Sequence, residues 1–248
     1  HQKVFEPRFH YWADRLGYLT WGESASWGAN INKPLSARNF LTEWEETVVR
    51  DRNHPSIIMW TPFNETWELP DNREAAREAC RMVEDVYELT KNLDYRPCHD
   101  VSGNYHTVPQ TDVFSVHQYE QDVEKFKEWM RLKDGKVPQL DLKNREVEYE
   151  GQPFILGEYG GIKWVVGQEF SEISWGYGNA PKTLDEFYER LEGLTDAILF
   201  YDYICGYCYT QLTDVEQEQN GIYNYDRTPK FDMEKIRKVF TKVPKGFK

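Results

Sequence analysis

Short apolar segments alternate with longer amphipathic segments along this chain. The longer segments have apolar residues at helical spacing, and the clearest helix is predicted over residues 72 to 93, which are rich in Ala, Glu and Arg. Further helices are predicted over residues 7 to 17, 36 to 52, 123 to 133, 183 to 201 and 232 to 243. We expect Gly17 to close the first of these helices and Ser36 to cap the second.

The apolar segments between the helices have the pattern of strands. These strands are predicted over residues 18 to 23, 56 to 65, 96 to 103, 112 to 120, 153 to 161 and 205 to 214. Residues 134 to 152 and 162 to 181 lack periodicity and are predicted to be loops. Strands that alternate with helices imply a parallel α/β sheet.

Polar side chains follow the strands at their carboxyl ends. They are Glu23, Asn64 with Glu65, Asp100, Tyr119, Glu158 and Asp214. In a (β/α)8 TIM barrel the carboxyl ends of the strands form the active face. Six strands that donate functional groups to one rim therefore favour a barrel over an open sheet, and residues 1–248 are predicted to be a single barrel domain.

Composition excludes several function classes. The net charge is −12 and no Lys/Arg cluster interrupts it, so nucleic acid and anionic membrane surfaces are not expected partners. No apolar run is long enough for a transmembrane helix, and the first residues do not resemble a signal peptide. A soluble protein is expected, with cytoplasm, periplasm and secretion all left open.

The cysteines and the aromatic residues give little evidence about function on their own. Four cysteines are too few for a disulfide scaffold, and Cys205 and Cys208 are predicted to point to opposite faces of a strand. Nine Trp and 16 Tyr residues suit a sugar-binding protein, because an apolar sugar face stacks on aromatic rings, but they also suit a large core.

Four motifs, in this order along the chain, resemble the catalytic module of glycoside hydrolase family 2, the β-galactosidase and β-glucuronidase group. The longest is RDRNHPSIIMWTPFNE, residues 50 to 65. The others are DVFSVHQY (112 to 119), PFILGEYGG (153 to 161) and GIYNYDRTPK (221 to 230). The resemblance covers nearly the whole chain, and it implies a TIM barrel and hydrolysis of glycosidic bonds.

The resemblance also implies roles for individual residues. Glu65 would be the general acid/base and Glu158 the nucleophile. Asn64 would bind the sugar 2-hydroxyl, and Tyr119 would donate a hydrogen bond to the nucleophile. It implies neither a cofactor nor a metal, and it makes a carbohydrate the expected partner.

The chemistry of paired carboxyls agrees with these roles. Retaining hydrolysis needs two carboxyls about 5–5.5 Å apart. Neighbouring like charges raise one pKa, which leaves a protonated acid beside an ionised nucleophile. We therefore expect the carboxyls of Glu65 and Glu158 to lie within about 6 Å of each other.

Further candidate contacts to the sugar are weaker. Asp100 lies at a strand end and His117 within the second of the four motifs. Trp67 and Trp175 either contact the sugar or pack in the core; Trp175 lies in a long predicted loop, where packing explains a Trp less easily. His54 is interpreted as a structural residue of a turn.

Two features depart from the family pattern. Only six strand ends are counted instead of eight, so we expect an incomplete barrel whose missing strands and β-sandwich domains precede this chain. The family often places a Trp four residues after a Gly in its last strand, and counting from Gly206 that position is Thr210. We expect Tyr209 or a loop Trp to provide the stacking surface instead.

The preferred sugar is expected to be neutral. Family members specific for glucuronides carry an Asn and a Lys two residues apart just before the Gly that opens the fourth motif. In this chain the matching residues are Glu218 and Asn220, before Gly221. A Glu here would repel a uronate, although a realigned loop would let Lys163 or Arg227 serve instead.

The sequence therefore predicts a retaining β-glycosidase, with β-galactosides as the expected substrates and β-glucuronides or β-mannosides as alternatives. A non-catalytic glycan-binding or structural barrel fragment is the competing hypothesis. Another retaining barrel family would share the paired glutamates but not the RDRNHPSIIMW and DRTPK segments. Contacts with other segments or domains of the same enzyme, or an oligomer, are compatible with either hypothesis.

Overall fold

The computed structural model describes residues 2–30, 33–66, 76–103, 105–139, 147–168 and 173–244. The chain divides into two compact units. Unit 1 comprises His1–Ser115 and Gln139–Pro153, and unit 2 comprises Val116–Pro138 and Phe154–Lys248. Each unit contains helices and strands in alternation, as predicted. The single-domain organisation stays a prediction.

The described residues of unit 1 form three helices and four short strands. In chain order they are α1 (Pro7–Leu16), β1 (Thr20–Glu23), α2 (Pro34–Asp51), β2 (Ile57–Thr61), β3 (Phe63–Asn64), α3 (Arg77–Leu93) and β4 (Val101–Ser102). Strand β1 pairs in parallel with β2, and β3 pairs in parallel with β4. The parallel pairing directs the polar residues after β3 and β4 to the same edge of their sheet.

The sequence predicted the elements of unit 1 well and their limits less well. Gly17 closes α1 in the left-handed conformation, with φ of 67°, as predicted. The expected cap at Ser36 is wrong: Lys33 is the N-cap of α2, because Pro34 occupies the first turn, where its fixed φ and missing N–H suit a helix start. Between β2 and β3, Pro62 interrupts the single strand predicted over residues 56 to 65.

Large aromatic side chains from α2 and the strands form the core of unit 1. Trp44 and Trp60 are almost completely buried and meet edge to face, with ring centroids 5.8 Å apart. The indole N–H of Trp44 donates to Thr90 Oγ1 on α3 over 2.8 Å, which ties α2 to α3. Trp60 is therefore a packing residue.

Unit 2 contains a parallel sheet with helices between its strands. Its elements are β5 (Phe114–Gln118, whose first two residues belong to unit 1), α4 (Val123–Trp129), β6 (Phe154–Gly160), α5 (Leu184–Leu199), β7 (Ile204–Thr210) and α6 (Met233–Phe240). The three strands are ordered β5-β6-β7. Strand β7 ends at Thr210 instead of the predicted residue 214, and α4 ends four residues earlier than predicted.

Side chains at the helix starts of unit 2 act as caps. Asp122 accepts the backbone N–H of Lys125 at the start of α4, and Thr183 accepts that of Glu186 at the start of α5. Phe126 on α4, Phe154 on β6 and Phe187 on α5 are completely buried. Across the described ranges of both units, none of the helices combines the length and apolar character needed to cross a membrane.

Candidate active site

Strand β3 of unit 1 delivers Asn64 and Glu65 to the end of its sheet. The backbone N–H of Glu65 donates to Ser102 O on the neighbouring β4 over 2.9 Å, and that of Asn64 donates to Ser26 Oγ over 3.2 Å. Glu65 and Thr66 both have positive φ angles, 57° and 43°. Non-glycine residues in this region are strained, and such strain is concentrated at functional sites. The backbone thus makes a sharp bend at the candidate acid/base.

Asn64 has an acceptor that the described residues leave unused. Its side chain is only 6% exposed, and among the described residues no partner reaches its Oδ1. A buried polar atom without a partner costs about 1–3 kcal/mol, so such an atom calls for a ligand or an ordered water. Oδ1 is therefore able to accept a hydroxyl proton of a bound molecule.

Asp100, a candidate sugar contact, lies in a buried network of unit 1. Its Oδ1 is 2.7 Å from His106 Nδ1, and its Oδ2 accepts the backbone N–H groups of Thr107 and Val108. Burial alone would raise the pKa of Asp100, but the attraction of His106 and these hydrogen bonds hold the pKa below its usual range. Because the carboxylate is completely buried and both oxygens are occupied, the geometry favours a structural role.

Strand β6 of unit 2 carries Glu158, which is 6% exposed. The phenol of Tyr119 donates a hydrogen bond to Glu158 Oε2, and His117 Nδ1 lies 3.2 Å from the same oxygen. Burial and the nearby Glu158 carboxylate raise the pKa of Tyr119, so the phenol keeps its proton for donation. Unit 2 thus brings together three residues that the sequence selected: Glu158, Tyr119 and His117.

Tyr177 holds the ring of Tyr119 from one side. The two rings are stacked, with centroids 3.4 Å apart and planes at 1°. Gly161 makes this contact possible, because a Cβ there would overlap the ring of Tyr177 and crowd Tyr119. Tyr177 was not predicted from the sequence, although the Gly-Gly pair at the end of the strand predicted over residues 153 to 161 was a signal for such a close approach.

Trp175 belongs to the same aromatic group. Its indole meets the ring of Tyr177 edge to face at 5.8 Å and remains 40% exposed. A partly exposed Trp beside the partners of Glu158 is suited to contact a ligand. Trp164 is instead buried against Phe187 and Phe231. Trp67, the other candidate platform, lies outside the described residues.

Thr210, at the family's Trp position, ends strand β7 beside the same tyrosine. Its Oγ1 is 3.1 Å from the phenol oxygen of Tyr119. The parallel register pairs Thr210 with Gly160, and Gly161 N–H donates to Thr210 O over 2.8 Å. The expected substitute at this strand end, Tyr209, is half-buried and its ring contacts Tyr159 and Phe240, and its stacking role stays a prediction.

The fourth motif is anchored by an ion pair inside unit 2. Lys230 Nζ lies 2.7 Å and 3.0 Å from the two carboxylate oxygens of Asp214, and Gly221 N–H donates to Asp214 Oδ1. Burial lowers the pKa of Lys230, while the Asp214 carboxylate opposes that effect. The pair fixes the loop that carries Glu218 and Asn220, so Asp214 is a structural residue of the segment after β7.

His54 of the first motif is also structural. His54 Nδ1 is 2.6 Å from Asp14 Oδ2 on α1, and Asp14 Oδ1 accepts the backbone N–H of Ser56 over 2.9 Å. The interpretation of His54 as a turn residue agrees with these contacts.

Comparison with known proteins gives a family and a fold. Residues 15–245 match the family model described as glycosyl hydrolases family 2, TIM barrel domain. Among solved structures, a β-glucuronidase from Ruminococcus gnavus bound to a uronic isofagomine is 20% identical, with a TM-score of 0.68 over 95% of this chain and 41% of that chain. An uncultured Clostridium sp. β-glucuronidase is 18% identical, with a TM-score of 0.72 over 97% of this chain and 43% of that chain.

A third structure is the family 2 β-galacturonidase of Eisenbergiella tayi bound to galacturonate. It is 19% identical, with a TM-score of 0.66 over 94% of this chain and 42% of that chain. At these identities the likeness concerns the fold, and this chain spans less than half the length of the three structures. The family match extends over nearly all residues, and the chain therefore belongs to glycosyl hydrolase family 2, within its TIM barrel domain.

Proposed function

We propose that this protein is a retaining β-glycosidase in which Glu158 is the nucleophile and Glu65 the general acid/base. The observation that carries the proposal is the environment of Glu158: a buried carboxylate at the end of a parallel strand, with a donated phenol hydrogen bond and an imidazole beside it. These partners favour the ionised carboxylate that a nucleophile needs. Membership of family 2 and the bend at Glu65 support the assignment.

The reaction would proceed in two displacements. Glu158 forms a bond to the anomeric carbon while the bond from that carbon to the leaving oxygen breaks, and Glu65 gives its proton to that oxygen. Water then attacks the anomeric carbon, the ester bond to Glu158 breaks, and Glu65 takes the proton from the water. Glu65 changes from acid to base because the negative charge of Glu158 disappears in the ester.

Other residues would bind the sugar. Asn64 Oδ1, buried and without a partner among the described residues, would accept the 2-hydroxyl proton. Trp175 would stack against the apolar face of a sugar ring or an aglycone, since its indole is partly exposed beside Tyr177. His117 would contact the sugar as well as Glu158.

Neutral β-hexosides, with β-galactosides first, are the proposed substrates. Asn220 Nδ2 donates to Glu218 Oε1 over 3.0 Å, so these two positions present an acid and an amide where a uronate would need a cation. The second candidate is a β-uronide, because the three solved structures are a β-galacturonidase and two β-glucuronidases. Lys163 or Arg227 would then contact the uronate, and the Lys163 ammonium donates to Ser174 O over 2.6 Å.

Alanine substitutions in the full-length protein test the two carboxyl roles. Glu158→Ala should reduce turnover of all aryl β-glycosides by at least about a thousandfold, since no covalent intermediate can form. Glu65→Ala should slow poor leaving groups by about 10²–10⁴-fold and activated aryl groups far less, because good leaving groups need little protonation.

The exposed Glu148 provides the control, and Glu148→Ala should behave like the wild type. Equal losses on both leaving-group types in the Glu65 variant would contradict its acid role. The mechanism also requires the carboxyls of Glu65 and Glu158 to lie about 5–5.5 Å apart, and a crystal structure with more than about 9 Å between them would exclude retention.

A further inference from the structure

The hydroxyl of Thr210 and the carboxylate of Glu158 share one phenol. Tyr119 donates to Glu158 Oε2, and Thr210 Oγ1 lies 3.1 Å from the same phenol oxygen. A phenol has a single proton, so while Tyr119 donates it to Glu158, the Thr210 hydroxyl must act as the donor to the phenol oxygen. The three groups then form a chain that runs from Thr210 through Tyr119 to Glu158.

The backbone and the neighbouring ring allow this chain little freedom. Thr210 is held beside Gly160 by the parallel register of β6 and β7, and its carbonyl accepts the N–H of Gly161. Tyr177 stacks on the Tyr119 ring and so restricts the direction of the phenol. Thr210 occupies the position where the family often has Trp, so its hydroxyl is a feature of this chain.

We propose that Thr210 is a positioning residue that acts on the reaction through Tyr119. The inference rests on the proposed role of Glu158 as nucleophile. A hydrogen bond donated to the phenol oxygen polarises its O–H group and makes Tyr119 a stronger donor to Glu158. It thereby stabilises the negative charge of Glu158, which disappears when the ester forms and returns when the ester breaks.

Thr210 also gives Tyr119 a partner in the covalent intermediate. An ester oxygen is a weaker acceptor than a carboxylate, and the Thr210 hydroxyl has lone pairs with which it can accept the phenol proton. Tyr119 therefore keeps a hydrogen bond in both stages without moving its ring. Burial and the Glu158 charge raise the pKa of Tyr119, and the Thr210 hydrogen bond opposes that rise, as expected for a donor to the phenol oxygen.

The test uses the full-length protein and a series of aryl β-glycosides, with kcat and KM measured separately. Thr210→Val has nearly the same shape without the hydroxyl, and it should lower kcat by about tenfold, the effect of one hydrogen bond in a network, while KM changes by less than about twofold. Thr210→Ser restores the hydroxyl and should recover most of the wild-type kcat. In a Tyr119→Phe background, Thr210→Val should cause no further loss.

Three results would overturn the inference while Glu158→Ala remains inactive: wild-type kcat in Thr210→Val, no recovery in Thr210→Ser, or a full tenfold loss that persists in the Tyr119→Phe background. If Thr210→Val does not fold, Thr210→Ala removes the same hydroxyl. The same changes in kcat are then expected of Thr210→Ala, and the same results would overturn the inference. A wild type without turnover, or an active Glu158→Ala variant, would instead overturn the proposed function and this inference with it.

Discussion

At the scale of single residues, Asp14 shows that part of the first motif has a structural role, because Asp14 contacts two residues of that motif. Its carboxylate joins α1 to the segment before β2 by accepting the N–H of Ser56 and contacting His54. Burial by itself would raise the pKa of Asp14, but the hydrogen bonds from Ser56 and His54 outweigh burial and lower the pKa to about 2. The ionised form of Asp14 therefore stabilises the folded chain.

This depressed pKa predicts the pH dependence of an Asp14→Asn variant. The contribution of Asp14 is complete above its ordinary pKa of 3.8 and is lost as the pH falls towards 2. The variant should lower the free energy of unfolding by about 1–2 kcal/mol at pH 7, and the difference should shrink below about pH 4. Urea unfolding at several pH values measures it.

The control for Asp14→Asn is Glu45→Gln, which removes an exposed carboxylate from α2. It should change the free energy of unfolding by no more than about 0.5 kcal/mol at any pH. A difference between Asp14→Asn and the wild type that stays constant from pH 7 to pH 3 would show that the charge of Asp14 is not the source of the stability.

At the scale of elements, residues 173 to 181 of the loop after β6 make more backbone hydrogen bonds than their sequence suggests. Residues 162 to 181 lack periodicity, yet Trp175 N–H donates to Gln217 O, and Gln219 N–H donates to Trp175 O. Tyr177 N–H donates to Gly161 O over 3.0 Å. Backbone pairing with two other segments therefore places the Tyr177 ring against Tyr119.

The stacking contact predicts different effects for two substitutions at Tyr177. Tyr177→Ala removes the ring that restrains Tyr119, and the loss of one aromatic pair should lower kcat by about 3- to 10-fold. Tyr177→Phe keeps the ring and should remain close to the wild type. Steady-state kinetics on an aryl β-glycoside measure both, and a Tyr177→Ala variant with unchanged kcat would refute the restraint.

At the scale of the whole molecule, charge bears on the choice of substrate. The net charge of −12 provides no long-range attraction for an anionic sugar. Glu218 adds a negative charge in the loop that opens the fourth motif, and Arg227 is an exposed residue that donates to Tyr225 O within its own turn. The net charge of the chain and the local charge of Glu218 therefore both disfavour a uronide as the substrate.

We accordingly expect the full-length protein to cleave an aryl β-galactoside at least about tenfold faster than the matching aryl β-glucuronide, as like charges in a desolvated cleft cost more than about 1.4 kcal/mol. Initial rates at equal concentration of the two substrates measure this preference. Faster glucuronide cleavage would reverse the interpretation of the loop and favour Lys163 as the partner of a uronate; Lys163→Ala should then abolish that preference.

The sequence by itself was sufficient to predict the order of the helices and strands and to identify the family. Alternating apolar segments reflect burial, which is a local property, and a motif of sixteen residues that ends at Glu65 is specific. Glu158 and Tyr119 were likewise found at predicted strand ends, and the structure joins them by a hydrogen bond. Limits such as the start of α2 were missed because a Ser in a polar segment resembles a cap, whereas Pro34 starts the helix.

Only the tertiary structure decided which side chains surround Glu158 within unit 2. Thr210 and Tyr177 reach Tyr119 from positions far along the chain, and their contacts depend on the register of β6 with β7 and on a close approach at Gly161. Asp100 had the same sequence signal as Glu158, a carboxylate at a strand end, but His106 and two backbone amides enclose it. A local pattern specifies that a residue lies at a strand end, whereas its partners are set by segments distant in sequence that folding brings beside it.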